Sequence, residues 1–407
     1  MAQEVAGSRP VIRPIFPLKS LADLPYAAAS RVAPAVHAHF AHHLEDARAR
    51  GETDLATVPT EAEFAAVLDG AFWASLRREE GYVPRLSIAF LTPQQSAHPI
   101  VFSQPVRIEP APLARIAPAV ERPGVHLGVS PGGPLTVWGA TRALPRHCCV
   151  IEVAEPGLVV IKHHRGDALA KFVNVAVVQG DQIKVIDEHA SSLPDCPELL
   201  TSLLGFDSPS SWAGSVNVLV QLAVSMRAHR RGGLLLLVPK GTDTWRQSIV
   251  QPMRYEATPP FDDLAVLSRK QQAAPSGTSA RAEFAVRSWH EELGRSVDAI
   301  AGLTAIDGAT VLSSEYELLA FGVKITRRRG AAPVEQLTLT EPVIGAEAAV
   351  FAPTQLGGTR HLSAAQFIHD QRESMALVAS QDGGFTVFAW SPCEGMVHAH
   401  RVETLLL

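Results

Sequence analysis

The chain has 407 residues, enough for two or three domains, and 46% of them are hydrophobic, enough to fill a sizeable core. A formal net charge of -5 argues against a general nucleic-acid coat and against a protein held to anionic membrane by charge. Cys148, Cys149, Cys196 and Cys393 show no CxxC or Cys/His zinc spacing, so neither a disulfide scaffold nor a metal cage organises the chain, and reduced thiols in a cytoplasmic protein are expected.

The first 18 residues lack a basic region followed by a sustained apolar core, so no signal peptide is expected. No run reaches the roughly 18 apolar residues of a spanning helix. The most apolar run, Gly232 to Pro239, is far too short and reads as a buried strand.

Residues 1–20 are Pro-rich and read as extended; the segment up to about residue 80 is helical. From Ala27 to Arg50, Val32, Val36, Phe40 and Leu44 repeat every four residues and make one helix face. His37, His39, His42 and His43 decorate this helix. Only His39 and His43 have the spacing of two metal ligands one turn apart. With no third ligand nearby in the sequence, they read as a polar flank. Thr60-Glu61-Ala62-Glu63 before an apolar run reads as a capped helix start.

Residues 81–270 read as a mixed α/β region. Strands are expected at Leu86–Leu91, Ile100–Phe102, Val125–Val129, Leu135–Gly139, Cys149–Val153, Leu158–Ile161, Val173–Val178 and Ile183–Ile186, with Gly-containing turns between several of them. Asn217 to Arg230 reads as an amphipathic helix ending in Arg227, His229, Arg230 and Arg231, and Gly232-Gly233 stops it. This basic cluster suits a helix C-terminus, or alternatively an anion site. Trp245, Tyr255 and Phe261 fall in a Pro-broken stretch and are expected to pack over a sheet. Gln271–Ser279 is small, polar and Pro/Gly-containing, and reads as a linker to a second unit at 280–400.

That unit opens with a helix, Ala280 to Ala301, with Phe284, Trp289, Leu293, Val297 and Ile300 near one face. Asp307-Gly308-Ala309 follows, inside an expected strand pair. Further on, Gly357-Gly358-Thr359-Arg360-His361-Leu362 precedes a helix running to about Gln371, so this bend sits at the helix end that binds anions. A carboxylate can hold a divalent metal, small residues let backbone N–H groups approach phosphate, and a guanidinium neutralises it. A nucleotide triphosphate site is the reading.

The two stretches resemble the signatures of the bacterial diadenylate cyclase domain, Asp-Gly-Ala and Gly-Thr-Arg-His-Arg. Asp307-Gly308-Ala309 matches the first in full, Gly358-Thr359-Arg360-His361 matches four of five residues of the second, and Ser380 matches the Ser of a third, Ser-Glu-Glu. The resemblance covers about Ala280 to Val397. It departs from the family at Leu362, where a second Arg is usual, and at Gln381-Asp382, where Glu-Glu is usual. Asp307 and Arg360 are also 53 positions apart, a long spacing that includes Arg327-Arg328-Arg329, candidates for the missing charge. Ser225 to Pro239 resembles a segment of the DACNV sensor domain that precedes some such cyclases.

The resemblance implies an α/β protein: a mixed-sheet sensor region followed by a cyclase-like α/β domain. It implies condensation of two ATP into cyclic di-AMP across two facing copies of the domain, hence a homo-oligomer. Asp307 would hold Mg²⁺ or Mn²⁺; Gly308 and Ala309 would line the adenine-ribose side; Gly357, Gly358, Thr359 and Arg360 would hold the triphosphate. His361 would position phosphate oxygens, with Ser363 and Ser380 completing the nucleotide-binding set. An unidentified small molecule or protein would act at the N-terminal region. The alternatives are a degenerate domain that binds nucleotide without turnover, which Leu362 favours, and an α/β scaffold carrying chance motifs.

Overall fold

Two helices open the chain and differ in what holds them. Helix α1 (Ala27–Ala49) buries Val32, Val36, Phe40 and Leu44, the expected stripe. Helix α2 (Glu61–Ser75) starts in a capping box: Thr60 Oγ1 accepts from Glu63 N at 3.3 Å while Thr60 N donates to Glu63 Oε2 at 2.8 Å. The other oxygen of Glu63 accepts from Gly132 N at 2.6 Å, so the cap also fastens a turn of the neighbouring sheet. The structure, a computed structural model, describes residues 25–78, 81–165, 172–192, 217–272 and 280–407.

That sheet holds β1 (Ser87–Phe90), β2 (Ile100–Arg107), β3 (His126–Val129), β4 (Thr136–Thr141), β5 (Cys148–Glu155), β6 (Leu158–His164), β7 (Phe172–Gln179) and β8 (Gln182–Val185), in the order β2-β4-β3-β1-β5-β6-β7-β8. Helix α3 (Pro110–Val120) connects β2 to β3, opening with Pro at its first position. Only β1 and β3 run parallel; the other neighbours are antiparallel, as the Gly turns imply. Phe40, Phe64 and Leu68 pack with Ile88, Phe90, Leu127 and Ile151 in one core between helices and sheet.

Beyond β8 come α4 (Val218–Ala228), β9 (Gly233–Val238), β10 (Tyr255–Phe261), α5 (Asp263–Gln272), α6 (Ala280–Leu303), β11 (Ala309–Ser313), β12 (Leu318–Val323), β13 (Leu337–Thr340), β14 (Ala349–Phe351), a single helical turn at Pro353–Leu356, α7 (Thr359–Asp370), β15 (Met375–Ala379), β16 (Phe385–Ser391) and β17 (Met396–Arg401). The second sheet runs β10-β12-β11-β9-β15-β16-β17-β13-β14. Strand β9 lies inside it, parallel to β11 and antiparallel to β15. Its side chains alternate between two cores. Leu235 and Leu237 meet Leu222, Met226, Leu293 and Val297 of α4 and α6. Leu234, Leu236 and Val238 meet Ala364, Phe367 and Ile368 of α7. The unit is therefore a three-layer α/β/α sandwich, and a strand buried on both faces reads as a continuous apolar run.

The division between the sheets falls earlier than the 271–279 stretch, of which 273–279 lie outside the described residues. Helix α4, β9, β10 and α5 all precede that stretch, yet belong to the second unit. The run 233–238 needs helices on both faces and strands on both sides, and only the second sheet supplies them. The aromatics of the Pro-broken stretch also divide. Trp245 is buried, as expected, whereas Tyr255 lies on the edge strand β10, partly exposed and stacked on Phe321 at 4.9 Å.

The two sheets touch. Ile186 bridges Val343, Asp187 N donates to Pro342 O at 3.0 Å, and Lys184 pairs with Glu341 at 2.6 Å. Asn174, buried in β7, donates to the carbonyls of Thr404 at 2.8 Å and Leu407 at 3.3 Å. Among the described residues no helix is long and apolar enough to cross a membrane.

Candidate functional site

One end of the second sheet gathers the expected motifs. The N-terminal ends of β9 and β11, the C-terminal ends of β12, β15 and β17, and the N-terminus of α7 all meet there, as the strand directions require. Asp307 stands just before β11, its side chain 93% exposed and its carboxylate paired with Lys324 Nζ at 2.6 Å. Lys324, and more distantly Arg360, hold this carboxyl below its usual range, so it is anionic.

Gly308 has φ +129° and lies flat against β12: a Cβ here would stand 2.5 Å from the carbonyl carbon of Gly322. Ala309 is buried in the layer under α7, so its methyl serves the core. The Asp-Gly-Ala triplet thus combines one projecting carboxylate with a tight backbone crossing.

Helix α7 begins with Gly358 as N-cap, which brings no side chain to the first N–H groups, while His361 N donates to Gly358 O at 3.1 Å. Gly358 is open, with nothing within 4 Å of where a Cβ would be. Gly357 makes room for the ring of His361, whose Nδ1 lies 2.7 Å from the position of a Cβ. Thr359 is exposed and Arg360 half-buried. The guanidinium of Arg360 lies over Gly232, which has φ +69° and no side chain to block it. Burial, then Arg401 and Arg360, push the His361 imidazole down, outweighing Asp382, so His361 is neutral at neutral pH. It can donate or accept a hydrogen bond there but brings no charge. Ser363 lies a turn further along α7 and is half-buried.

The β15–β16 turn forms the third wall. Ser380 Oγ donates to the Asp382 carboxylate, and Ser380 N donates to Gly384 O at 2.9 Å. Asp382 is thereby fixed beside His361, so the carboxylate of the Gln381-Asp382 pair is retained in a shifted place. Arg327–Arg329 do not supply the missing charge. Arg328 N donates to Asp370 at the far end of α7, roughly 15 Å from Arg360 at 1.5 Å per residue. The cations that do stand at the site are Lys324 and Arg401, which lie outside both sequence motifs. Lys324 follows the strand that returns antiparallel to Ala309–Ser313, and it is strand register, not a motif, that brings it to Asp307.

A cleft of about 710 Å³ opens between the sheets beside this site, lined among others by Arg85, Glu155, Arg227, Arg230, Asp382 and Glu403. Arg230 pairs with Glu155, and Arg227 Nε donates to Gly383 O at 3.0 Å, so the basic end of α4 ties the first sheet to the Ser380–Gly384 turn.

Residues 53–142 match a family model described as "Probable sensor domain DACNV". The match spans α2, β1, β2, α3, β3 and β4, so the DACNV-like segment is in the first sheet. It does not include Ser225–Pro239, the segment expected to carry that resemblance, which contributes to α4 and the inner strand of the second sheet. A DACNV-like unit implies a signal input. No curated protein matches the chain.

Proposed function

We propose that the chain is a diadenylate cyclase whose second sheet condenses two ATP into cyclic di-AMP under control of the DACNV-like unit. The observation that carries this reading is the convergence of Asp307 and the Arg360-bearing N-terminus of α7 at one end of a single sheet, although 53 positions separate them.

The residues fit an ATP-bound divalent ion. Mg²⁺ commonly takes one or two carboxylates and keeps its remaining positions for water and phosphate oxygens, and Asp307 offers one exposed anionic carboxylate. When bound, Mg²⁺ or Mn²⁺ would neutralise phosphate charge and lower the pKa of the attacking 3′-hydroxyl. The open Gly358 and the uncapped first turn of α7 would receive phosphate oxygens on backbone N–H groups. Arg360 and Lys324 would add charge that a pentacovalent phosphorus needs, and neutral His361 would orient one oxygen by a hydrogen bond. Each ATP's 3′-oxygen attacks the α-phosphorus of the other and pyrophosphate leaves twice, so two copies must face one another.

Leu362, 39% exposed on the first turn of α7, favours a second reading in which the domain binds nucleotide without turnover. One experiment separates them. The purified chain is incubated with ATP and Mn²⁺ and the products are analysed by mass spectrometry, with ATP binding followed in parallel. Cyclic di-AMP that disappears in Asp307→Asn supports the cyclase. Binding without product makes the chain a nucleotide sensor, and neither would leave only a likeness of motifs.

A further inference from the structure

His39 and His43 of α1 are not part of a solvated flank, whereas His42 is exposed. His39 and His43 face β6, and β6 brings His163 to them, 124 positions from His39. One ring nitrogen from each of the three lies within 4.8 Å of the others. His39 Nε2 and His163 Nδ1 are 2.8 Å apart, and Glu188 adds a carboxylate whose Oε2 is 3.0 Å from His43 Nε2. A tetrahedral ion with imidazole nitrogens at about 2.0–2.1 Å sets its ligand atoms roughly 3.3 Å apart. The two contacts of 2.8 and 3.0 Å lie a little under that value, and the three imidazole nitrogens lie within 4.8 Å of one another.

The outer contacts are those of oriented ligands. An imidazole bound to a metal through one nitrogen commonly rests its other nitrogen on a carboxylate or a further polar group. His39 Nδ1 faces Glu188 Oε1. His163 Nε2 faces His147 Nδ1 at 2.9 Å, and His147 Nε2 faces Glu52 at 3.6 Å. A purely structural core here would be filled as its neighbour Phe40 fills it, with carbon. Three imidazoles turned nitrogen to nitrogen, one of them 1% exposed, set several nitrogens where one ion could replace the hydrogen bonds between them.

We propose that His39, His43 and His163, with Glu188 as the outer carboxylate that orients His39, form a binding site for a Zn²⁺-class transition-metal ion in the N-terminal unit. Nitrogen-rich sets with one carboxylate suit such ions and not Mg²⁺ or Ca²⁺. None of the four residues lies in the stretch that matches the sensor model. Glu188 stands two residues after Ile186, the residue bridged to Val343 of the second unit. An ion that fixes His39 and His43 therefore also holds, through Glu188, the segment that docks the two sheets.

The test uses the full chain, stripped with chelator, without nucleotide, and titrated with Co²⁺ as a spectroscopic probe followed by Zn²⁺. The expected result is one Co²⁺ per chain with the intense visible bands of a four-coordinate ion, bleached by Zn²⁺. His163→Gln abolishes the bands, and His39→Gln or His43→Gln weakens Co²⁺ binding at least tenfold. His42→Gln on the exposed side of α1 and Asp307→Asn at the nucleotide site leave the signal unchanged, which separates this outcome from that of the cyclase reading. His163 is buried and its variant can misfold, so circular dichroism accompanies each, and the double variant His39→Gln/His43→Gln, which removes two of the three imidazoles, carries the decision where it is folded. Bands that survive in the folded double variant, or a folded wild-type chain that gives none, overturn the site.

Discussion

Lys324 Nζ stands 2.6 Å from Asp307 Oδ2, at the mouth of the hairpin formed by β11 and β12. Both side chains are largely exposed, so the pair contributes little to folding. Its significance is competition: the ammonium rests on the one carboxylate that a nucleotide-bound metal would use. Lys324→Ala is expected to lower the Mn²⁺ concentration for half-maximal cyclic di-AMP formation by roughly threefold, the range of an exposed pair. It should also lower the maximal rate, because a phosphate-facing cation is lost. Asp307→Asn should reduce product at least about 100-fold while leaving the thermal midpoint within about 1 °C, because the side chain touches no core. Titrating Mn²⁺ against product for the two variants checks both statements. An unchanged metal dependence in Lys324→Ala would place the ammonium outside the metal's reach.

Gly308 and Gly358 should respond in opposite ways to a single methyl. At Gly308 the backbone has φ +129° and a Cβ meets the β12 backbone at 2.5 Å, so Gly308→Ala must push the paired strands β11 and β12 apart. A loss of about 2–4 kcal/mol is expected in urea unfolding. At Gly358 the φ is -73° and the space is empty. Gly358→Ala should cost at most about 1 kcal/mol as a changed N-cap. It should nonetheless weaken ATP binding, because the methyl occupies the approach to the first-turn N–H groups. Equal stability losses in the two variants would mean that the second is also a packing position.

The sequence made the hairpins, α1, the capped start of α2 and the apolar β9 readable, because each rests on local periodicity or turn chemistry. It named Asp307, Arg360 and His361 through motifs, and the fold sets Arg360 near enough to act electrostatically on both of the others. It did not assign β9 to the second sheet, since a continuous apolar run says that both faces are buried and not by what. Strand β10 was hidden by Pro259-Pro260, which an edge strand tolerates and a sequence pattern does not. Lys324 and Arg401 reach the site through strand register, and His163 reaches His39 through the packing of β6 on α1. None of these has a local signature.

The interface between the sheets offers a test of coupling. Asn174 is buried in β7 and its amide donates to Thr404 O and Leu407 O, so Asn174→Ala leaves two carbonyls short of a donor. A destabilisation of about 1–3 kcal/mol is expected. Hydrogen exchange should rise first at residues 403–407 and at β17, and later at β1–β5. Uniform exchange across both units would mean that they unfold as one body, with no separable contact to carry a signal.

Acid should unfold the protein from two separate places. His126, set against Ser87 with His164 and Lys162 nearby, is pushed down to about 4 by burial, then by His164 and Lys162. His400, bonded to Thr340 and stacked on His398, is pushed down to about 3 by burial and His398. In both cases the unfolded chain, with an imidazole pKa near 6.5, binds the proton that the folded chain refuses. The stability they contribute is therefore fully present above pH ~6.5 and falls as pH drops toward 4, by as much as about 3 kcal/mol per group over that window. Urea midpoints measured from pH 7.5 to 4.5 should fall on the acid side in the wild type, and the slope should flatten in His126→Gln and, independently, in His400→Gln. Because one residue lies in each sheet, additive flattening in the double variant is expected; a slope unaltered by both would assign the acid sensitivity to other groups.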